Sequence, residues 1–261
     1  MTEYSIYYET KLYPTQNEVL KTLKSLELPF YLTGGTALSR GYFNHRYSDD
    51  LDLFVNADKN FLKITETVIN KLKEIGFSVE IQPSNSDSFS RIFLNKNIGG
   101  LNKNGLKIDF VNDIDVHFGE IKDTPVFYQT DSIRNILSNK YTALYRLSVK
   151  DIVDICEIAK NYSFNWRDII TEAEQKEAGI DLKEVVEIFK SYDDSSFEKV
   201  RWINKPSISQ LKNQIERIAY DMITQGPNSL CFGKKKIEYD KNIEEEISKK
   251  SLSYFTSLQN Y

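Results

Sequence analysis

The sequence contains few cysteines and no long apolar run, and each absence excludes a class of protein. Its two cysteines, Cys156 and Cys231, lie far apart and form no CxxC pair, so a disulfide-free, cytoplasmic protein is expected. No apolar run approaches the roughly 20 residues that a membrane-spanning helix needs. The N-terminal sequence MTEYSIYYET is acidic and lacks the basic and then apolar segments of a signal peptide. We therefore expect no association with a membrane.

An excess of basic residues is also missing. The chain carries 34 Lys and Arg against 38 Asp and Glu, for a net charge of −4. Proteins that attract polyanions through their overall field carry an excess of basic residues. Any contact with a nucleic acid must therefore come from a local patch of positive charge.

The hydrophobic residues follow two different periodicities along the chain. Up to about residue 130, helical and strand patterns alternate. The predicted helices are Thr15–Leu26, Thr36–Tyr42 and Phe61–Ile75, and the predicted strands are Phe30–Leu32, Asp50–Val55, Phe77–Ile81, Ser90–Leu94 and Leu106–Val111. From Ser132 onward nearly all of the sequence has helical periodicity, as in Ile208–Ile223. This order predicts an α+β fold, in which an α/β domain with a mixed sheet (residues 1–130) precedes a helical-bundle domain (residues 131–261).

The pair Asp50 and Asp52 is the most informative feature. Residues two apart on a strand point to the same side, so the two carboxylates share one face while Leu51 and Leu53 point into the core. Two carboxylates this close repel one another unless a cation lies between them. Mg²⁺ suits such a site because it takes oxygen ligands and completes its shell with waters and substrate phosphates.

A glycine turn precedes this acidic pair. Gly34 and Gly35 allow the backbone to approach a phosphate, and the helix that follows offers free N–H groups at its positive end. Thr36 adds a hydroxyl donor. Between the turn and the pair, Arg46 can form paired hydrogen bonds with phosphate oxygens through its guanidinium group. A phosphate site and a metal site separated by one short helix predict binding of an NTP together with its Mg²⁺.

A third acidic residue, Asp109, lies in a strand pattern. Its neighbours Ile108 and Phe110 alternate with it, so the carboxylate points away from this apolar pair. Acidic residues are unfavourable in strands and therefore ask for a reason. We interpret Asp109 as a third metal ligand and as the general base for an attacking hydroxyl group.

Each of these features also has a simpler explanation. Most double-glycine turns only reverse the chain, Asp49 and Asp50 fit the end of a solvated loop, and Asp109 fits a charge that discourages edge aggregation. The acidic pair could also hold Ca²⁺, although the regular acid spacing and the closing Glu of an EF-hand are absent. We prefer the catalytic interpretation because one geometry explains all three features.

Three motifs resemble those of a known family. The string GGTALSRGYFNHRYSDDLDLF resembles the first motif of the DNA polymerase β-like nucleotidyltransferase superfamily, and GGTAL followed by HRxSxDLDLF is similar to its AbiEii/AbiGii type, which comprises toxins of bacterial toxin–antitoxin and phage-defence systems. The segment 107–110, KIDF, resembles that family's second motif. Lys140 to Arg146, followed by KDIVDI over 150–155, resembles its K…R…(K/R)DxxDL signature. Thr36 stands where the family often has serine, and no motif is matched past about residue 160.

The resemblance implies an α/β nucleotidyltransferase domain with a helical C-terminal domain, and transfer of NMP from an NTP with release of pyrophosphate. Carried over by position, it assigns phosphate binding to Gly35 and Thr36, metal binding to Asp50 and Asp52, the third acid to Asp109, triphosphate contact to Lys140, and shaping of the site to Asp151 and Asp154. It further implies Mg²⁺ or Mn²⁺ as cofactor, an RNA acceptor such as the 3′ end of tRNA, and a partner antitoxin. A salt bridge from Arg146 to Asp151 or Asp154 explains those three residues equally well.

Two other functions stay open at this level. Transfer to a small hydroxylated molecule, as in antibiotic-modifying nucleotidyltransferases, fits the modest negative charge, since RNA binding normally draws on a cationic surface. A non-catalytic NTP-binding module would keep the fold, but it has no use for three convergent carboxylates. A basic groove beside the carboxylates predicts an RNA acceptor, whereas a closed acidic pocket predicts a cationic small molecule.

Overall fold

The computed structural model describes residues 3–83, 86–94, 105–113, 116–231 and 235–237. The helices are α1 (Glu3–Tyr7), α2 (Tyr13–Ser25), α3 (Gly34–Thr36), α4 (Phe61–Glu74), α5 (Ile133–Thr142), α6 (Val149–Asn161), α7 (Trp166–Lys176), α8 (Leu182–Lys190), α9 (Asp194–Glu198) and α10 (Ile208–Thr224). The strands are β1 (Tyr31–Thr33), β2 (Leu51–Asn56), β3 (Val79–Ile81), β4 (Phe89–Leu94) and β5 (Leu106–Asp113). Tyr8–Leu12 and Ala37–Phe43 are π-helical, and Ala143–Arg146 and Ser229–Cys231 are 3-10 turns.

The strands form one mixed sheet in the order β1-β2-β5-β4-β3. β2 and β5 are parallel, and the other neighbouring pairs are antiparallel. Along β2, the buried residues Leu51, Leu53 and Val55 alternate with more exposed ones, so one face of the strand meets the core and the other stays open. The mixed sheet and its flanking helices confirm the predicted fold class.

The predicted elements of the first half are present, with small shifts at their ends. The helix predicted for Thr36–Tyr42 already begins at Gly34 and continues as the π-helical segment to Phe43. β3 begins at Val79 rather than Phe77, because the chain is still turning out of α4 at this point. Gly76 has a φ of +98°, and the Phe77 N–H donates to the Leu72 carbonyl at 3.0 Å.

The chain is also helical before Thr15, where the sequence analysis predicted no element. The residues from Glu3 to Leu12 form α1 and the first π-helical segment, and Tyr8 within them is fully buried. The Tyr8 ring stacks on Tyr47 with 4.3 Å between ring centroids, and its hydroxyl donates to the Asp49 carboxylate. The N-terminal helix therefore packs against the residues that lead into β2.

The same loop is also held by residues 201–203, which follow α9. The Tyr47 N–H donates to the Arg201 carbonyl at 2.8 Å, and the Ile203 N–H donates to the His45 carbonyl at 3.1 Å. The Arg201 guanidinium also donates to Asp49 at 2.8 Å. Residues more than 150 positions apart therefore fix the loop 45–49 that precedes the acidic pair.

The helical part packs on the sheet through a shared core. α5 contacts α6 and α7, and α10 contacts α8. One hydrophobic cluster includes sheet residues such as Leu53 and helix residues such as Ile155 and Trp166. Chain segments on both sides of residue 130 also hydrogen-bond to Leu32, and the division into two domains stays a prediction. In the described ranges, no helix combines the length and apolar character that crossing a membrane requires.

Candidate active site

A cleft of about 520 Å³ separates the open face of the sheet from the helices. Its sheet side includes Thr33, Gly34, Asp52 and Phe54, and its helical side includes Lys140, Tyr145, Arg146 and Lys176. An acidic strand therefore faces a basic helical wall across the cleft. This separation of charge suits a ligand that carries a cation at one side and anionic groups at the other.

The parallel pairing of β2 and β5 brings two of the predicted carboxylates together. Asp52 is paired with Asp109 in the strand register. The residues on either side of each aspartate are buried in the core, so both carboxylates lie on the opposite face of the sheet. Asp50 lies just before β2, and its negative charge raises the pKa of Asp52. The fold therefore gathers Asp50, Asp52 and Asp109, which are separated by up to about 60 residues in the sequence.

The two glycines of the turn make room for different side chains. Gly34 has a φ of +67°, and a Cβ at this position would overlap the Asp52 carboxylate. A Cβ at Gly35 would lie 2.6 Å from the Arg46 guanidinium and 3.1 Å from the Ser48 hydroxyl. Gly34 therefore lets the backbone approach the acidic residue closely, while Gly35 gives space to a buried arginine.

Asp52 has no direct ion-pair partner among the described residues. Burial first, and then the charges of Asp50 and Asp109, raise its pKa from the ordinary 3.8 to about 6. Within the described part of the chain, no lysine or arginine lies within salt-bridge distance of its carboxylate. A divalent cation would remove this repulsion, so the charge of the site and its oxygen donors suit a metal such as Mg²⁺.

Asp50 and Asp109 are instead held by two cations that the sequence analysis did not assign to the site. Lys107 lies 2.8 Å from Asp50 and 3.5 Å from Asp109, and Arg91 donates to both oxygens of Asp109 at 2.6 and 2.8 Å. Among the described residues, no three His, Cys, Asp or Glu side chains form a ready-made group that could hold a metal ion. Lys107 could have been found, because it lies two positions before Asp109 on the same strand and so shares its face. Arg91 could not, because its pairing depends on the strand register.

Lys140 lies at the base of the helical wall and is paired with two acids. It is buried, and its ammonium group lies 2.6 Å from Asp151 and 2.8 Å from Asp154. Burial alone would lower its pKa, but the charges of Asp154 and Asp151 outweigh burial and raise it. Lys140 therefore stays charged beside the cleft. Arg146 also pairs with Asp151, at 3.2 Å, which is the salt bridge considered as an alternative.

Arg46 is buried rather than open to the cleft. Its guanidinium donates to both oxygens of Asp154 at 2.7 Å, and His45 lies 2.9 Å from the same carboxylate. Burial opposes ionisation of Asp154, but Arg46 and Lys140 hold its pKa well below the ordinary value. In this arrangement Asp154 joins Arg46 of the motif loop to Lys140 of α5. Phosphate binding by Arg46 stays a prediction.

Thr36 has a structural role in this arrangement. It is fully buried, and its hydroxyl donates to the Asp50 carbonyl at 2.5 Å and lies 3.0 Å from the Ser48 hydroxyl. It thereby ties the start of the π-helical segment to the residue that precedes β2. Its predicted contact with phosphate, like those of Gly34 and Gly35, stays a prediction.

The far end of the cleft contains a lysine that no sequence motif indicated. The Lys176 ammonium donates to side chains on one face of α5, at 2.6 Å to Asn135, 2.7 Å to Ser138 and 2.5 Å to Asn139. This contact fixes the end of α7 against the helix that carries Lys140. The helical wall of the cleft is therefore braced by its own side chains.

Comparison with known proteins gives a family and a fold. The family model described as "Nucleotidyl transferase AbiEii toxin, Type IV TA system" matches residues 18–221. Among curated proteins, none matches the chain. JHP933 from Helicobacter pylori has a similar fold, with a TM-score of 0.55 and 18% identity over 99% of each chain. A proposed nucleotidyltransferase from the same species has a TM-score of 0.53 and 19% identity, over 86% of this chain and 96% of that chain.

A third similar structure is MenT4, a nucleotidyltransferase toxin from Mycobacterium tuberculosis. Its TM-score is 0.49, and the identity is 12% over 82% of each chain. The family match spans the glycine turn, all three carboxylates and Lys140. The two Helicobacter structures share the fold of this chain over most of its length.

Proposed function

The chain belongs to the AbiEii family of nucleotidyl transferase toxins, and from this premise we propose that it moves NMP from a metal-bound NTP to a hydroxyl group of RNA, such as the 3′ end of tRNA. The chain is a nucleotidyltransferase by family; the metal, the acceptor and the residue roles are the proposal. One observation carries it. Asp52 lines the cleft opposite Lys140, and the β2–β5 register pairs Asp52 with Asp109.

Asp50, Asp52 and Asp109 are the residues that would hold Mg²⁺ or Mn²⁺. A divalent cation bound there neutralises phosphate charge and lowers the pKa of a coordinated hydroxyl group. The high pKa of Asp52 supports this assignment, because the site is electrostatically unfavourable without a cation. Lys107 and Arg91 pair with Asp50 and Asp109, so they would hold these two carboxylates in position for a metal.

The helical wall binds the triphosphate. Lys140 and Arg146 line the cleft opposite Asp52, and both supply N–H donors that suit phosphate oxygens. Asp151 pairs with both cations and so orients them toward the cleft. Gly34 leaves the floor of the cleft open beside Asp52, so a phosphate can approach the backbone.

Asp109 is the general base. It accepts the proton of the acceptor hydroxyl as that oxygen forms a bond to the α-phosphorus and pyrophosphate leaves. Arg91 donates to both of its oxygens, which fixes the carboxylate and leaves its remaining lone pairs for the proton. This assignment separates the roles of the two neighbouring acids, with Asp52 as the metal ligand and Asp109 as ligand and base.

RNA is the acceptor that we infer from the toxin family, and one exposed cation at the cleft supports it. Arg146 has 66% of its side chain exposed at the cleft, where it can meet a phosphodiester group. A toxin of this family also implies a partner antitoxin, and we propose that both act in the cytoplasm, where tRNA and NTP are present.

The test is transfer from each α-³²P-labelled NTP into total RNA with Mg²⁺. The wild type is compared with Asp52→Asn, which keeps the shape of the side chain and removes its charge. Asp123→Asn is the matched control, since Asp123 is exposed and lines a different cavity. We expect labelled RNA with the wild type and the control and none with Asp52→Asn. Absence of label with every NTP, despite binding of Mg·NTP, would show that the acceptor is not RNA and would favour a small hydroxylated molecule.

A further inference from the structure

Leu147 is an exposed apolar residue at the edge of the cleft in a backbone conformation that side chains rarely adopt. It follows the 3-10 turn Ala143–Arg146, has φ and ψ of 54° and 45°, and leaves 63% of its surface exposed. Glycine or asparagine usually occupies such a position at the end of a helix. A strained backbone together with an exposed large apolar side chain indicates a functional role.

The surroundings of Leu147 place it between the two halves of the site. The preceding residue, Arg146, lines the cleft, and Lys150 three positions later lies 3.1 Å from Asp49, the neighbour of Asp50. The segment from Arg146 to Lys150 therefore runs from the proposed triphosphate wall to the loop of the metal-binding acids. We name residues 146–150 the rim segment. The rim segment therefore borders the cleft on the side of the loop that carries Asp49.

The charges of the rim segment define its partner. Arg146 has 66% and Lys150 has 46% of its side chain exposed, and Leu147 lies between these two cations. A polynucleotide combines one anion per nucleotide with flat apolar bases, and leucine is among the side chains that pack against unstacked bases. The pattern of cation, apolar side chain and cation matches that chemistry.

We propose that Leu147 is an acceptor contact that packs against a base at the 3′ end of the RNA, while Arg146 and Lys150 meet the adjoining phosphates. The inference rests on the proposed function, because it concerns the acceptor of the same reaction. It makes Leu147 a positioning residue: it holds the terminal hydroxyl group near Asp109 and takes no part in the chemistry.

Leu147→Gly separates acceptor binding from stability, because glycine adopts this backbone conformation without strain. Gln225→Gly is the matched control. Gln225 also ends a helix, with φ and ψ of 50° and 35°, is also exposed, and makes the same kind of backbone hydrogen bond, to Met222 as Leu147 does to Leu144. Leu147→Asn provides a second variant that tolerates the backbone conformation and removes the apolar surface.

The experiment measures the KM for RNA in NMP transfer, the Kd for Mg·NTP by calorimetry, and the melting temperature. We expect both Leu147 variants to raise the KM for RNA by about tenfold, the loss of one base contact, with an unchanged Kd for Mg·NTP and no fall in melting temperature. Gln225→Gly should change only the melting temperature. An unchanged KM for RNA, or an equal rise in the Kd for Mg·NTP, overturns the inference alone. A wild type that transfers NMP to no RNA overturns the proposed function, and the inference with it.

Discussion

Replacing Asp52 with asparagine should make the metal-free protein more stable while it removes the activity. Burial and the neighbouring acids raise the pKa of Asp52 from 3.8 to about 6, so its ionised form is disfavoured in the folded state. Each pKa unit corresponds to about 1.4 kcal/mol, which gives about 3 kcal/mol at pH 8. Asp52 is partly exposed, and solvent screening reduces this figure to about 2 kcal/mol. For a chain of this length, that corresponds to about 5 °C in melting temperature.

The dependence on pH identifies the cause of this stabilisation. A carboxyl group whose pKa is higher in the folded state binds protons more tightly there, so the destabilisation of the wild type is complete above pH 7 and declines as pH falls toward 4. Asparagine does not titrate. With EDTA present, the difference in melting temperature between Asp52→Asn and the wild type should therefore fall to about one third of its pH 8 value at pH 4.5.

Scanning calorimetry of the wild type, Asp52→Asn and the control Asp123→Asn at several pH values measures this difference. Added Mg²⁺ should raise the melting temperature of the wild type more than that of Asp52→Asn, because binding to the folded state stabilises it. An Asp52→Asn variant that is no more stable than the wild type in EDTA at pH 8, or a difference that does not change with pH, would refute the reasoning.

Two further predictions follow from close contacts of the site. Gly34→Ala should lower the free energy of unfolding by about 2 kcal/mol and abolish transfer, because the added Cβ would overlap Asp52. Gly76 also has a positive φ, of +98°, but a Cβ there would have no atom within 4 Å, so Gly76→Ala should lose only about 1 kcal/mol in urea denaturation. Equal losses would contradict the role given to Asp52. Asp154→Asn should lower the free energy of unfolding by about 3 to 5 kcal/mol, because it leaves buried Arg46 and Lys140 without the charge of their shared partner. A loss below about 1 kcal/mol, which is the range of an exposed ion pair, would show that this contact is dispensable.

Periodicity identified the elements whose two faces differ strongly. In β2, Leu51, Leu53 and Val55 occupy alternate positions, and the structure buries these three residues. In α4, the buried residues Phe61, Val68 and Leu72 recur at helical spacing. The predicted start of this helix, Phe61, is correct. Local patterns of this kind are sufficient because each residue's burial depends mainly on its place in its own element.

The N-terminal helix could not be found in the same way. Its sequence, EYSIYYETKLY, is rich in tyrosine, and several of these rings are buried although each carries a polar hydroxyl group. The sequence therefore shows no clear division into an apolar and a polar helix face. Its stability comes from contacts with Tyr47 and Asp49, which are distant in sequence. Tertiary packing decides such an element, and periodicity does not reveal it.

The candidate site was predictable in part for a related reason. Asp50, Asp52 and Asp109 stand out because acids are unusual in apolar strands, and family motifs identify Lys140. The partners of these residues depend on register and on long-range folding: Arg91 reaches Asp109 across β4 and β5, and Asp154 holds Arg46 from 108 positions away. A motif can name such residues, but only the fold shows which of them contact one another.

The long-range contacts of the loop 45–49 have a consequence for the synthesis of a toxin. The backbone of Tyr47 is held by Arg201, and Asp49 is held by both Arg201 and Tyr8. A growing chain on the ribosome lacks these contacts until residues 201–203 have left the exit tunnel. The acids that would hold the metal are therefore set in place only after the segment 201–203 has emerged. Chains that end before residue 201 should therefore be inactive, because they lack the contacts that fix the loop 45–49.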